Sequence, residues 1–422
     1  MKANRIFLLA AMLLASGVAF AQDGKKDAKP VELTYWTMLD HSSKDARART
    51  ERAILDKFMQ ENPNIKIKVD TTPWNKLPQK TILAVQSGGG PDVSRVSFGQ
   101  TLEYINLKTL KPLNEYFQGD SGSGLLGEST VFNGQRMGVV YTPVPNAILY
   151  RKDLFAETGL PEPRTWDEFA KVAAAMTKGN VYGFGIGLSP AKSLVPNFIQ
   201  PFIWGAGGKV FNGDCGAWDN PEGVRSVQFL SDMINKHKAM PSDVLRLSND
   251  DVLDGFRAGR FASVVEEASR ASTAASSEAT KGKVGLWRFP SDTNAKGSPP
   301  YIYSWSIGVM SSTKHPEEAA RLVKFMTDST ADHIKAETSG ELPARAASLQ
   351  GIHFNPANAE VSSAFVKYLA DFEKSPQTYP KNPAKFHDLL IQAVQQVMVD
   401  SVPIQKALTD SVAAYNKAVG CK

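Results

Sequence analysis

Between Val31 and Val93 the sequence switches repeatedly between two periods, and this alternation constrains the fold most. Val31-Glu32-Leu33-Thr34-Tyr35-Trp36 alternates apolar and polar residues, as a half-buried strand does. A helix follows from about Lys44 to Gln60, with Ile54 and Phe58 on its inner face and Asn62-Pro63 ending it. Ile65, Ile67 and Val69 alternate again. Gln79 to Gln86 reads as a second helix, broken by Ser87-Gly88-Gly89-Gly90-Pro91, and Asp92-Val93 opens a third strand. Strand, helix, strand, helix, strand predicts an α/β layer around a largely parallel sheet.

The texture changes near residue 138. Gly138 to Tyr141 reads as a strand, Thr142-Pro143-Val144-Pro145 as a stiff extended piece, and Ala147 to Tyr150 as a resumed strand. Each Pro fixes its own φ and turns its predecessor away from helix. Such a piece serves either as a hinge crossing between two α/β halves or as an edge-strand turn. Helices are expected at about 166–177, 222–236 and 249–258, then a strand from Phe261 to Val265. Asp292 to Pro300 reads as a polar loop, Tyr301 to Met310 as another strand and Pro316 to Met326 as an amphipathic helix. From about 357 the tail is mostly helical, interrupted at Tyr379-Pro380 and Asn382-Pro383.

Residues 1–21 have the three zones of an export signal. Lys2 and Arg5 start it, Ile6 to Ala15 is apolar throughout, and Ala19-Phe20-Ala21 suits signal peptidase. Cleavage after Ala21 is expected, followed by a flexible segment 22–30. The apolar run is shorter than the roughly 20 residues a permanent span needs. No Cys follows the cleavage site to carry a lipid, which points to a free periplasmic or secreted protein. About 400 residues remain, more than one core usually serves, so two domains are expected. Losing Lys2 and Arg5 lowers the formal charge of +5 by two, and the remaining Lys and Arg lie among acidic residues. That pattern offers nucleic acid no footprint. The two cysteines, Cys215 and Cys421, are either a disulfide suited to an oxidising compartment or two thiols.

Catalytic signatures are absent from the sequence. The six His show no metal-ligand spacing, and there is no GxSxG or GxxxxGK[ST]. Gly88-Gly89-Gly90 lacks the Lys-Ser/Thr ending of a phosphate loop and suits a helix C-terminus. Glu266 and Glu267 are adjacent on the expected strand, so their side chains should point to opposite faces. No metal or cofactor is expected.

Six stretches, in order, carry a resemblance. They are Phe58-x-x-Glu61-Asn62-Pro63-Asn64-Ile65-Lys66-Ile67, Ser87-Gly88-Gly89-Gly90-Pro91-Asp92-Val93, and Gly159-Leu160-Pro161-x-Pro163-x-Thr165-Trp166-Asp167-Glu168-Phe169. Then come Phe256-x-x-Gly259-Arg260-Phe261-Ala262, Lys314-His315-Pro316-Glu317-Glu318-Ala319-Ala320, and Gly340-Glu341-Leu342-Pro343-Ala344-Arg345. The set resembles the extracellular solute-binding proteins of carbohydrate ABC importers, the family that includes maltose-binding protein. The resemblance implies a two-lobed α/β periplasmic-binding-protein fold with a hinge of crossing segments. Lobe 1 would hold 31–141 and 303–340, and lobe 2 would hold 146–300 and 346–422. The hinge would lie near 142–145, 301–303 and 341–345.

The implied function is a periplasmic receptor without catalysis. It would capture a mono- or oligosaccharide by closing its lobes, act as a monomer, and deliver the solute to permease subunits in the inner membrane. Sugars need flat aromatic platforms and a rim of donors and acceptors. Loop positions meeting these needs are Trp36 with Asp40 and His41, Ser97 with Phe98, Trp204 before Gly205-Ala206-Gly207-Gly208, Glu266, Glu267 and Arg270, Tyr303 and Trp305, and Glu341 and Arg345. Trp166 is expected in the core. Glu266-Glu267-Ala268-Ser269-Arg270 departs from the family's usual Gly-Pro or Gly-Trp turn, and an Arg there would also suit a uronate or glycerol phosphate. The rivals are a receptor for such an acidic solute or a polyamine, and a secreted carbohydrate-active enzyme.

Overall fold

The computed structural model describes residues 29–97, 101–118, 130–190, 195–292, 296–371 and 380–421. The expected export signal, most of the segment 22–30, Phe98 and Tyr379 lie outside them. Strand β1 (Val31–Thr37), helix α1 (Ala46–Glu61), strand β2 (Ile65–Thr71), helix α2 (Leu77–Gln86) and strand β3 (Val93–Ser97) form the expected layer. β1 lies between β2 and β3 and pairs with both in parallel. Asp45 caps α1 by accepting from Arg47 N, and Pro78 stands in the first turn of α2, where its missing N–H costs no helical bond.

Strand β4 (Val139–Arg151) differs from the expectation. The two short strands and the stiff piece between them are one continuous strand of 13 residues. It pairs with strand β5 (Ser263–Glu267), strand β6 (Val284–Trp287) and strand β7 (Ile302–Val309), always antiparallel. The physical reason that Pro143 and Pro145 are tolerated is their parity. Asn146 N donates to Tyr301 O at 2.9 Å, on the β7 side. Alternation turns the nitrogens of Pro143 and Pro145 to the other edge, and pairing with β5 and β6 starts only at Asn146 and Ile148. β7 continues the sheet onto β3, and the β4–β7 register shifts at Trp305/Ser306.

The apolar residues form two main cores on either side of this junction. One contains Leu33, Ile54, Phe58, Val93, Val139, Tyr141, Ile307 and Val323. The other runs from Ala147, Ile148 and Leu149 through Phe169, Phe198 and Phe202 to Leu390 and Tyr415. Thus β4 belongs to both. Trp166 is core, as expected: it is stacked 5.2 Å from Phe202, and its Nε1 donates to Pro290 O at 3.2 Å. A capping box of Thr165 and Glu168 starts its helix, α3 (Trp166–Met176).

Two helices were not legible as such. Val195–Gly205 is buried on every described face, so it shows no polar stripe. Trp204 therefore ends a helix and does not stand in a loop. Ser329–Ser339 ends at Gly340 with φ +73, where any Cβ would collide with the Asn358 side chain. Among the described residues no helix is long and apolar enough to cross a membrane.

The two cysteines are joined. Cys215 and Cys421, 206 residues apart with Cα atoms at 5.7 Å, tie the hairpin 211–216 to the end of the last helix, Ile404–Val419. Asn416 reinforces the join, accepting from Gly216 N at 2.7 Å. Cys215→Ser should lower unfolding free energy by about 2–5 kcal/mol. Cys421→Ser should cost the same and the double variant no more, as read from denaturant midpoints.

Candidate functional site

Sheet register decides which side chains meet. Residues opposed in a ladder share a face, and alternate residues along a strand share it too. Trp305 is opposite both Ser97 and Thr142, Tyr303 is opposite Val144, and Asn146 is opposite Glu267. Ser97, Trp305, Thr142, Tyr303, Val144, Asn146 and Glu267 therefore lie on one face, at the junction of the two cores. The Tyr303 hydroxyl donates to Glu267 Oε2. An aromatic series extends the face: Tyr303 lies 6.3 Å from Tyr301, which lies 6.5 Å from Trp204.

Beyond Ser97 the same face carries Arg95, Tyr35 and Thr37, roofed by Glu51 of α1. Glu51 is fully buried and accepts from Tyr35 Oη at 2.8 Å, Thr37 Oγ1 at 2.7 Å and Arg95 Nε at 2.9 Å. His41 Nε2 lies 3.0 Å from its other edge. Burial favours the neutral acid, but Arg95 and His41 hold this carboxyl down at about 2. The Arg95 guanidinium lies 3.8 Å from the Tyr141 ring centre. Lys335 donates to Tyr141 O and pairs with Asp332 at 2.8 Å, and Asp332 accepts from Ala344 N at 2.9 Å and Arg345 N at 3.2 Å. These bonds pin the crossing 341–345 onto the first core. Burial pushes the Glu341 carboxyl up, against the pull of Arg47, Arg95 and Lys335.

On the side of the second core, Arg270 pairs with Asp250 at 2.9 Å and has Glu266 at 4.0 Å. Asn249 Nδ2 donates to Glu266 at 3.3 Å, and Ser269 Oγ to Glu267 at 3.2 Å. The two carboxylates thus take different partners, as alternation requires, while the Arg270 charge acts on both. Burial, with Glu267 adding to it against Arg270, pushes the Glu266 carboxyl up to about 7. Arg47 links the two sides. Burial opposes its charge, but Asp45 and then Glu341 hold its pKa above the ordinary value, and Arg270 pushes the other way.

The structure gathers Ser97, Trp204, Glu267, Arg270, Tyr303, Trp305 and Glu341 about this junction. Trp36 pairs with Ser94 and so points to the opposite face, where Lys80 Nζ lies 4.1 Å from its ring centre. Asp40 is exposed and holds its own loop by accepting from Ser42 N at 2.9 Å. His41 is engaged by Glu51, and Arg345 Nε donates to Thr327 O at 2.9 Å. Sequence reasoning missed Arg47, Glu51, Arg95, Thr142 and Asn146. The proline pair at 143 and 145 marks the neighbourhood of Thr142 and Asn146, but partner strands are needed to assign faces. A depression of about 720 Å3 lined by Ser189, Ser242, Arg246 and Gln395 includes no candidate residue. No cluster of three metal-ligating side chains occurs among the described residues.

Two predictions follow from these charges. Glu51→Ala strands a buried Arg95 and should cost about 3–5 kcal/mol in denaturant melts. Glu266 keeps its proton to higher pH in the folded chain than its ordinary value of 4.5. Its contribution is present below that value and is lost as pH rises through about 7, so stability should fall across this window. Glu266→Gln should remove that part of the slope.

Residues 41–332 match the family model described as bacterial extracellular solute-binding protein. The multiple sugar-binding protein of Streptococcus mutans is 25% identical over 351 residues, covering 77% of each chain. Among solved structures, the GacH receptor of Streptomyces glaucescens superposes with a TM-score of 0.81 at 20% identity, over 92% of this chain and 98% of that one. Maltose-bound MalE3 of T. maritima gives 0.80 at 23% identity, over 92% and 100%. At such identity the structural likeness establishes the fold, two α/β lobes joined by crossing strands. With more than half its length matched by the family model, this chain belongs to the bacterial extracellular solute-binding proteins.

Proposed function

We propose that this chain captures a sugar between two closing lobes and delivers it to the permease subunits of an ABC importer. One observation carries this reading: the face at the lobe junction combines the rings of Trp305, Tyr303, Tyr301 and Trp204 with the hydrogen-bonding groups of Ser97, Glu267 and Arg270. Rings cover the apolar C–H faces of a sugar, and the polar groups meet its hydroxyls. A multiple sugar-binding protein among the relatives and a maltose-bound protein among the structural neighbours support the same assignment. Lobe 1 comprises 31–141 and 303–340 and lobe 2 comprises 146–300 and 346–422, joined near 142–145, 301–303 and 341–345. The division of the apolar residues into two cores supports these bounds. A solute touching both lobes stabilises the closed arrangement, because only there are all its contacts made. The protein works outside the inner membrane, in the periplasm, after cleavage behind Ala21. It acts as a monomer and carries out no catalysis.

Thermal unfolding of the mature protein against mono- and oligosaccharides, uronates, glycerol phosphate and polyamines tests this. At a hundredfold excess over Kd the right sugar should stabilise the fold by about 2.7 kcal/mol. No stabilisation by any sugar would refute the assignment, and release of cleavage products from an oligosaccharide would favour an enzyme.

A further inference from the structure

Two buried side chains on the candidate face lack partners. Asn146 is fully buried, yet neither its Oδ1 nor its Nδ2 has a hydrogen-bond partner among the described residues. The hydroxyl of Thr142, 2% exposed, is in the same condition. An open buried amide carries a desolvation cost that an apolar residue of like shape would not. Both residues lie on β4 with the same parity, Thr142 opposite Trp305 and Asn146 opposite Glu267. Four residues of strand span about 13 Å, and Val144, opposite Tyr303, stands between the two open groups on the same face.

The charged groups around them are already engaged with one another. Arg270 is held by Asp250 and Glu266, Arg47 by Asp45, Arg95 by Glu51, and Lys335 by Asp332. On β4 itself, the open groups of Asn146 and Thr142 are neutral: an amide that both accepts and donates, and a hydroxyl that does either. We propose that Asn146 and Thr142 contact the solute directly, and that the part they hold is an uncharged run of hydroxyls. This rests on the sugar-capture reading and narrows it to neutral sugars or polyols. An amide meets adjacent hydroxyls in complementary fashion, its oxygen accepting from one and its N–H donating to the next. A carboxylate or phosphate accepts only, so it leaves the amide oxygen unmatched and adds negative charge beside Glu266, Glu267 and Glu341.

The test compares the mature protein with Asn146→Leu and Thr142→Val, using neutral sugars and polyols beside uronates and glycerol phosphate. Without solute, Asn146→Leu should unfold at or above the parent temperature. Its affinity for the sugar that the parent binds should fall at least tenfold by calorimetry, with a smaller fall for Thr142→Val. Unchanged affinity in Asn146→Leu overturns the contact. A parent that prefers a uronate or phosphate ester to its neutral counterpart overturns the class. If no panel member binds the parent, the sugar reading fails, and solute-free melting still decides about the amide. A clear drop in unfolding temperature for Asn146→Leu shows the amide bonded within the protein and overturns the proposal; a rise supports it.

Discussion

One strand that serves two cores constrains the rest of the molecule. Val139 and Tyr141 pack with the first core, Ala147 to Leu149 with the second, and the chain between them does not leave the sheet. A strand cannot slip by one residue without exchanging its faces. The packing of both cores therefore fixes the register of β4, and that register fixes which side chains face the junction. The proline pair suits this position because, among the described residues, no strand pairs with the edge it leaves without donors.

The polar cluster beside the junction follows from the same geometry. Side chains near a crossing cannot all reach solvent, and a buried charge is tolerable only when paired and hydrogen-bonded. Glu51 meets that condition through Tyr35, Thr37, His41 and Arg95, and Asp332 meets it through Lys335 and two backbone N–H groups. These bonds hold the loop after β1 and the crossing 341–345 against the first core. Rigid walls with prearranged polar groups lose less on binding than mobile ones. On the second side, Glu266 is less well compensated, and its raised pKa reflects a carboxyl that burial favours as the neutral acid.

The carboxylates and rings of the junction face are arranged in an ordered way. The carboxylates are bonded to Tyr303, Ser269, Asn249 and Arg270, and the rings run as a series across the junction. Closing two lobes on a solute needs contacts that exist only in the closed arrangement. Strands that pass through both lobes give such motion an axis without breaking either core.

The sequence by itself determined the α/β layer, the membership of Trp166 in the core, the extended conformation of 142–145, and the resemblance that led to the family. These are local signals: period, caps and prolines act within a few residues. Trp305, Tyr303 and Glu267 stand out in the sequence as polar or aromatic strand residues, and only the register shows that they share a face. The face of Trp36 was not legible, since it depends on pairing with Ser94. His41 and Arg345 read as candidate solute contacts, and their bonds to Glu51 and Thr327 were not legible in the sequence. The Cys215–Cys421 bond, the continuity of β4 and the open amide of Asn146 were decided by the tertiary structure alone. Each depends on which distant segment lies opposite, and periodicity within a segment carries no information about its partner.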